Sequence, residues 1–549
     1  MTAAATPPPP SEPPPPEPPA SSPPPPAASA GRGGMARGAR RVSALTMLSR
    51  LLGLVREQVF ALTLGATANS DAFLAAFRIP NLLRDLFAEG ALSTAFVPTY
   101  VSTLKNDSRA AAYALANRVL STLTIYLGTI AIIGMLFPGP IVRLVATGFD
   151  PEKAELCARL VRIMLPFLPT ISLAVVAMGA LNAEERYTAP GLASSMFNIV
   201  AIVGGVAVYL LGLSPEAAVI TWAALTVVGG LAQLAIQVPP LHELGFRPRL
   251  TPDLLLRDPG TRRIATLMAP ATLGVAAVQI NVVINSSFAS LVSDGALSWL
   301  SYAFRLMQLP IGVFGVAVGT TALTHLSRDA ARKDWVALAA TLRRGLRMVL
   351  FLTVPAMLGL ALLRVPIIRL IYEHGNFSHR ATLQTARALL GYSAGLAAYA
   401  AVKVVAPAFF AMGKTRVPLF GSLLAVAANL IWNFATFRSL GHFGLALGTS
   451  IAATANLAVL VISFQVAVKN LLTRELFVAV ARILIASFVM AVAVFFFRDW
   501  LEALPGRDLY LRFVKALAPV FLGAGVYFVA ARAAGLEEAR LLLDRLRRR

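Results

Sequence analysis

The sequence predicts an all-α integral membrane protein, with about 14 transmembrane helices grouped as two parallel six-helix lobes plus two extra C-terminal helices. Three observations predict it. Of the 549 residues, 57% are hydrophobic and only 14% charged, and mean hydropathy is +0.70; soluble domains carry about a quarter charged residues. The apolar runs are long, each near the roughly 20 residues a helix needs to cross a bilayer, unlike the alternating ten-residue segments of a barrel. The chain also echoes itself. SDAFLAAFR at 70–78 aligns with LSWLSYAFR at 297–305, and in that register Phe87 meets Phe314 and Ser93-Thr94-Ala95 meets Thr320-Thr321-Ala322. One residue out of register, Ala183 and Pro190 meet Ala411 and Pro418.

Residues 1–41 form a Pro-rich tail with PPPPSEPPPPEPPASSPPPP at its core. It has no apolar surface to bury and reads as disordered or polyproline II, and it lacks the apolar stretch of a signal peptide. Met35, opening MARGARRVSAL, is an alternative start. Spans then centre near 54, 88, 127, 170, 201, 228, 277, 312, 353, 397, 427, 457, 486 and 521, the second broken by Pro80 and Gly90. The first six (42–240) make an N-lobe and the next six (241–474) a C-lobe. The last two (475–535) lie outside the repeat, and 536–549 is a basic tail.

The formal net charge of +22 lies mainly in short loops. Loops after even-numbered spans, among them GFRPRL, LLLRDPGTRR and RDAARKDW, carry about 19 Lys and Arg against about nine after odd-numbered ones, which places the even loops and both termini in the cytoplasm. The basic charge is therefore topological and calls for no nucleic acid. Six spans per repeat, an even number, make both lobes face the same way about a pseudo-two-fold along the membrane normal. Transporters so built bind substrate between the lobes.

Charges inside apolar spans need a reason, because each costs roughly 2.5–3.5 kcal/mol at the bilayer centre. RLLGLVRE at 50–57 and RIPNLLRD at 78–85 both read Arg-x5-Arg-acid. In helical projection Arg50 shares a face with Glu57, and Arg78 with Asp85, extended by Glu89. Arg56 and Arg84 project well away from their acidic neighbours. Asp71 opens the second span on its periplasmic side, and Arg305 opens the matching span of the second lobe with no acid within a turn. Facing the cleft, these groups make a wet cationic chamber suited to phosphate oxygens, which arginine grips with two parallel hydrogen bonds. The plainer alternatives are snorkelling to the headgroups and ion pairs that only tie helices together.

Other chemistries find little support. A single cysteine, Cys157, excludes a disulfide framework and a thiolate metal cluster. His374 and His379 are five apart in a periplasmic loop with no third ligand in view, so no metal site is expected. No GxxxxGK[ST] pattern occurs, so ATP is not the direct energy source. An enzyme acting on polyprenyl phosphates would need an acidic metal cluster or a positioned base, and here arginines match the carboxylates. No catalytic residue is assigned. A drug antiporter would show an anionic cavity, and a cell-envelope scaffold would need no charges within its spans.

The stretch LTMLSRLLGLVREQVFALTLGATANSDAFLAAFRIPNLLRDLFAEGALSTAFVP closely resembles the opening of the MurJ (MviN) family. These are lipid II flippases of the multidrug/oligosaccharidyl-lipid/polysaccharide exporter superfamily. LNAEERYTAPGLASSMFN, SYAFRLMQLPIGVFGVAVGTTALTHLS, LIYEHGNF and FAMGKTRVP extend the resemblance over about 42 to 470. It implies transport of lipid II, an undecaprenyl-diphosphate bearing a disaccharide-pentapeptide, to the outer leaflet of the bacterial cytoplasmic membrane by alternating access. No cofactor is implied. The partners would be membrane lipids and cell-wall synthesis proteins, and the membrane potential or an ion gradient would bias the cycle. Family positions important for flipping match Arg50, Arg56, Asp71, Arg84, Glu89 and Arg305, and the last two spans would form a groove for the polyprenyl tail. Another lipid-linked oligosaccharide of the O-antigen type is the alternative cargo.

Two departures stand out. Many relatives have an acid just before the arginine matching Arg305, where this chain has Phe304. Some relatives are thought to bind sodium through carboxylates. The comparable positions here are Asn285, Asn429 and Asn433, with Thr449, and they supply no charge. Hydrogen bonding between helices is the expected role of these amides.

Overall fold

The computed structural model describes residues 30–86, 91–506 and 508–541. Glu89, most of the Pro-rich tail and the last basic residues lie outside that range. Among the described residues the chain is helical and contains no strand. The first lobe comprises α1 (Ala30–Leu64), α2 (Ala68–Arg84), α3 (Ala91–Asn106), α4 (Arg109–Leu136), α5 (Pro138–Val145), α6 (Pro151–Met164), α7 (Phe167–Ala183), α8 (Thr188–Leu210), α9 (Pro215–Ala235) and α10 (Val238–Glu243). The second comprises α11 (Pro259–Ser290), α12 (Ala296–Pro310), α13 (Val316–Ala331), α14 (Trp335–Tyr372), α15 (His379–Ser393), α16 (Leu396–Ala411) and α17 (Arg416–Val468). Then follow α18 (Arg474–Glu502) and α19 (Leu509–Ala533), packed on each other and on α14.

Local chemistry sets the helix starts. Ser108, Asp150, Ser214, Asp258, Asp334, Ser378 and Thr473 each accept a backbone N–H of the following first turn, and proline takes an opening position after Asp150, Ser214 and Asp258. Nine helical stretches among the described residues are long and apolar enough to cross a membrane, and α15 with α16, bent by 42°, makes a tenth. One of the nine, α17, holds two expected spans joined at Gly441, whose φ of 58° breaks the helix. The expected spans near 54 and 277 are helical, as are the described residues on either side of the span centred near 88, but none of the three falls in that set. All three carry the polar side chains that meet between the lobes.

The repeat has a physical signature. Asp71 hydrogen-bonds Ser298, its own counterpart 227 residues on. Equivalent positions of two copies touch only near the axis that relates them, so the pseudo-two-fold passes beside this pair.

The turn between α1 and α2 illustrates how tightly the lobes meet here. The Gly65 carbonyl accepts from Tyr302 Oη at 2.9 Å, and Asn376 of the YEHGNF segment donates to the carbonyls of Leu62 and Thr63. Gly65 has φ of 64°, and a Cβ there would sit 2.3 Å from the Asn376 carbonyl oxygen. Gly65→Ala should therefore cost more than the roughly 1–2 kcal/mol of left-handed strain alone. Gly212→Ala, at φ of 60° with open space around it, should cost only that strain. Thermal unfolding of the two variants in detergent checks the difference; equal melting points would overturn it.

Candidate functional site

Between the lobes lies a cavity of about 180 Å³ lined by Arg56, Glu57, Arg78 and Arg305. Four of the nine charges singled out from the sequence thus come together. Their pairing differs from the expected one. Arg50 and Glu57 do not compensate each other along α1, nor Arg78 and Asp85 along α2; the compensation runs between lobes. Glu57 Oε1 forms an ion pair with Arg305 Nε at 2.5 Å and accepts from Arg56 Nη2 at 3.5 Å. Arg78 Nε donates to Ser286 Oγ of α11 at 2.9 Å. Shared faces say where side chains point, and a partner on a neighbouring helix then competes with one a turn away.

Adjacent residues pair as well. Arg84 donates to Asp85 Oδ1 at 2.9 and 3.2 Å, although their Cα–Cβ bonds diverge, because the arginine stem is long enough to fold back. Asp85 Oδ2 accepts from Gln279 of α11 at 2.7 Å. Arg50 is exposed and its guanidinium lies against Gly312, which belongs to a π-helical turn at Ile311–Gly315 after Pro310. Such turns widen a helix and recur at functional sites.

The missing acid before Arg305 has a replacement. Phe304 packs edge-on against Tyr392, with ring centroids 5.4 Å apart, while Glu57 of the other lobe supplies the counter-charge. Among the described residues Arg305 Nη1 and Nη2 and Arg78 Nη1 and Nη2 make no hydrogen bond, so donors remain for an acceptor in the cavity. Three guanidinium groups face one carboxylate, leaving two positive charges.

Sequence reasoning missed the aromatic wall. Phe60, Phe73, Phe77, Phe197, Trp222 and Tyr302 line the cavity with the arginines, and the Phe197 ring sits 5.5 Å from the Arg56 guanidinium carbon. The signal was available in Phe73 and Phe77, four apart beside Arg78. In so apolar a chain they do not stand out.

Asp71 does not line this cavity. It is 1% exposed, sealed where α2 meets the start of α12. Its Oδ1 accepts from the Ser298 N–H and hydroxyl, at 2.9 and 2.6 Å, and its Oδ2 from the Gly295 N–H at 2.7 Å and Lys153 Nζ at 3.3 Å. Lys153 also reaches Asp294 at 2.7 Å. A carboxylate at a helix N-terminus meets unpaired N–H groups and the positive end of the dipole. The arrangement is a latch between lobes.

The amides hydrogen-bond one helix to another. Asn429 donates to Asn281 at 2.8 Å and to Asn285 at 3.3 Å, and Asn433 donates to Asn285 at 2.6 Å. Asn281, which the sequence reading left out, belongs to the cluster. Thr449 instead donates to the Leu445 carbonyl of its own helix. No group of three or more His, Cys, Asp or Glu side chains among the described residues could hold a metal ion.

The family model for the lipid II flippase MurJ matches residues 60–506 of this chain. The chain belongs to that family. It is 34% identical over 497 residues to the probable lipid II flippase MurJ of Vibrio cholerae, covering 88% of this chain and 93% of that one. It is also 34% identical over 419 residues to the lipid II flippase MurJ of Burkholderia cenocepacia, covering 76% and 81%. Among solved structures it resembles a lipid II flippase MurJ in an inward closed conformation, at TM-score 0.74 and 27% identity, covering 89% of this chain and 97% of that one. A multidrug resistance transporter of the MATE family, at TM-score 0.65 and 17% identity over 79% of this chain and 98% of that one, shares the fold. The MurJ match takes in every cavity-lining charge except Arg56 and Glu57, which fall just before its first residue.

Proposed function

We propose that this chain flips lipid II from the inner to the outer leaflet of the bacterial cytoplasmic membrane by alternating access, with both termini in the cytoplasm. The observation that carries the mechanism is the inter-lobe cavity, where Arg56, Arg78 and Arg305 face a single carboxylate. The lipid diphosphate docks on these arginines, whose unused N–H groups match its oxygens. Neutralising the excess charge favours closure of the lobes around it. The cavity, at about 180 Å³, is below the roughly 300–1,000 Å³ of drug-sized sites, so the disaccharide-pentapeptide enters only when the lobes part.

The polyprenyl tail stays in lipid along α18 and α19, whose outer faces expose Phe477, Ile485, Phe488, Phe521 and Val529. Release of the Asp71 latch opens the periplasmic side. No bond is made or broken in the cycle. The membrane potential or an ion gradient biases it, since a head group of net negative charge feels the potential directly. The asparagine cluster is read as interhelical bonding, without a carboxylate to favour sodium.

The test is outer-leaflet exposure of lipid II in cells depleted of their own flippase and supplied with this protein. Restored exposure is the expected result. Failure by a folded, inserted protein would overturn the reading and point to another lipid-linked oligosaccharide as cargo.

A further inference from the structure

A second charged cavity lies far from the first, at the opposite end of α14 from the YEHGNF segment. It measures about 490 Å³ and is lined by Arg343, Arg344 and Arg347 of α14, Glu475 and Arg482 of α18, and Glu537 after α19. The positive-inside pattern puts this end at the cytoplasmic surface. Its arginines are not equally occupied. Arg347 is held by Glu538 at 2.7 Å and Glu537 at 3.0 Å, and Arg343 donates to the Asn470 carbonyl and the Thr473 hydroxyl. Arg344 and Arg482 have no hydrogen-bond or ion-pair partner among the described residues. The Arg482 guanidinium lies over the Gly535 turn that ends α19, 3.6 Å from where a Cβ would be.

The surroundings specify the ligand. Val478 and Ala479 line the same cavity. One to two turns beyond Arg482, α18 turns Ile485 and Phe488 outward, 62% and 68% exposed. The pocket therefore sits where an acyl-facing helix surface meets a guanidinium cluster, the depth of a lipid phosphate. Basic pockets between transmembrane helices on the cytoplasmic side suit such head groups. We infer that the pocket at the foot of α14, α18 and α19 binds the phosphate head group of an anionic phospholipid, with Arg344 and Arg482 as its ligands and the acyl chains along α18. Glu475 and Glu537 face the polar part of the head group and limit the net charge the pocket accepts. The site is separate from the flipping cavity and does not depend on what is flipped.

The experiment titrates the purified full-length protein in detergent with phosphatidylglycerol or phosphatidylcholine and counts bound lipid by native mass spectrometry. The parent should retain phosphatidylglycerol in preference. Arg344→Ala and Arg482→Ala should each weaken that retention about five-fold, the value of one arginine at a membrane surface. Glu475→Gln should strengthen it, an outcome misfolding cannot produce. Equal retention of the two lipids by the parent, or full preference in the Arg344→Ala/Arg482→Ala double variant, would overturn the proposal. Displacement of phosphatidylglycerol by inorganic phosphate at equal concentration would also overturn it, in favour of a free-anion site.

Discussion

Arg305→Ala is expected to lower lipid II exposure about 30-fold in flippase-depleted cells at equal expression. Truncating one partner of a close charge pair costs about 2–5 kcal/mol when the pair is desolvated, much of it from the partner left behind; Arg305 is 52% exposed and Glu57 15%, so the low end of that range applies. Here that partner is Glu57, whose Oε1 loses its ion pair with Arg305 Nε at 2.5 Å and whose Oε2 is already buried without a donor. Arg305→Lys should fall between parent and alanine, since it keeps the charge but loses the planar fork that grips a phosphate with two parallel N–H groups. Arg56→Ala should resemble Arg305→Ala. The Glu57→Gln/Arg305→Ala double variant separates two roles. If Arg305 served only to neutralise Glu57, removing both charges would restore flipping; a phosphate-gripping role predicts no rescue.

The second large effect is expected at the latch. Asp71→Ala removes four accepted hydrogen bonds at the junction of α2 and α12 and strips Lys153 of one of its two carboxylates. Breaking a buried pair by deleting one partner costs about 3–5 kcal/mol, and the cost falls on the state in which the lobes touch here. A cysteine placed at Leu297, 2% exposed, should then react with a membrane-impermeant maleimide from the periplasmic side about 100-fold faster than in the Asp71 parent. The native Cys157 is itself buried and gives little background. Asp71→Asn, which keeps an acceptor but loses the charge, should give a smaller increase. An unchanged rate in Asp71→Ala would mean that other contacts keep this face shut.

Much of this architecture is legible in the residues, for reasons that also mark where legibility ends. Apolar runs between polar caps dictate helices, and an offset shared by SDAFLAAFR and LSWLSYAFR dictates two lobes, because both signals are local or periodic. Helical projection brought out Arg56, Glu57, Arg78 and Arg305 as charges within spans. It could not pair them, since periodicity fixes a face and leaves the neighbour across the gap unspecified. Glu57 was thus assigned to Arg50 when Arg305 holds it, and Phe304 looked like a lost counter-charge when the opposite lobe supplies one. Asp71 misled for a related reason. Its ligands are the N–H groups of Gly295 and Ser298, and backbone donors leave no trace in residue identity. Asn281 shares that fate in reverse, joining its cluster only once α11 and α17 are side by side.

The contact between Asp71 and Ser298 also bears on ancestry. In a dimer of two identical lobes, a residue beside the two-fold axis meets its own copy, so an aspartate there would confront a second aspartate and repel it. Only when the two copies have diverged in sequence can one position keep the carboxylate while the other becomes a hydroxyl donor at the head of a helix. Divergence of the two halves thus releases the axis from self-complementarity, with Asp71 as acceptor and Ser298 as donor across it.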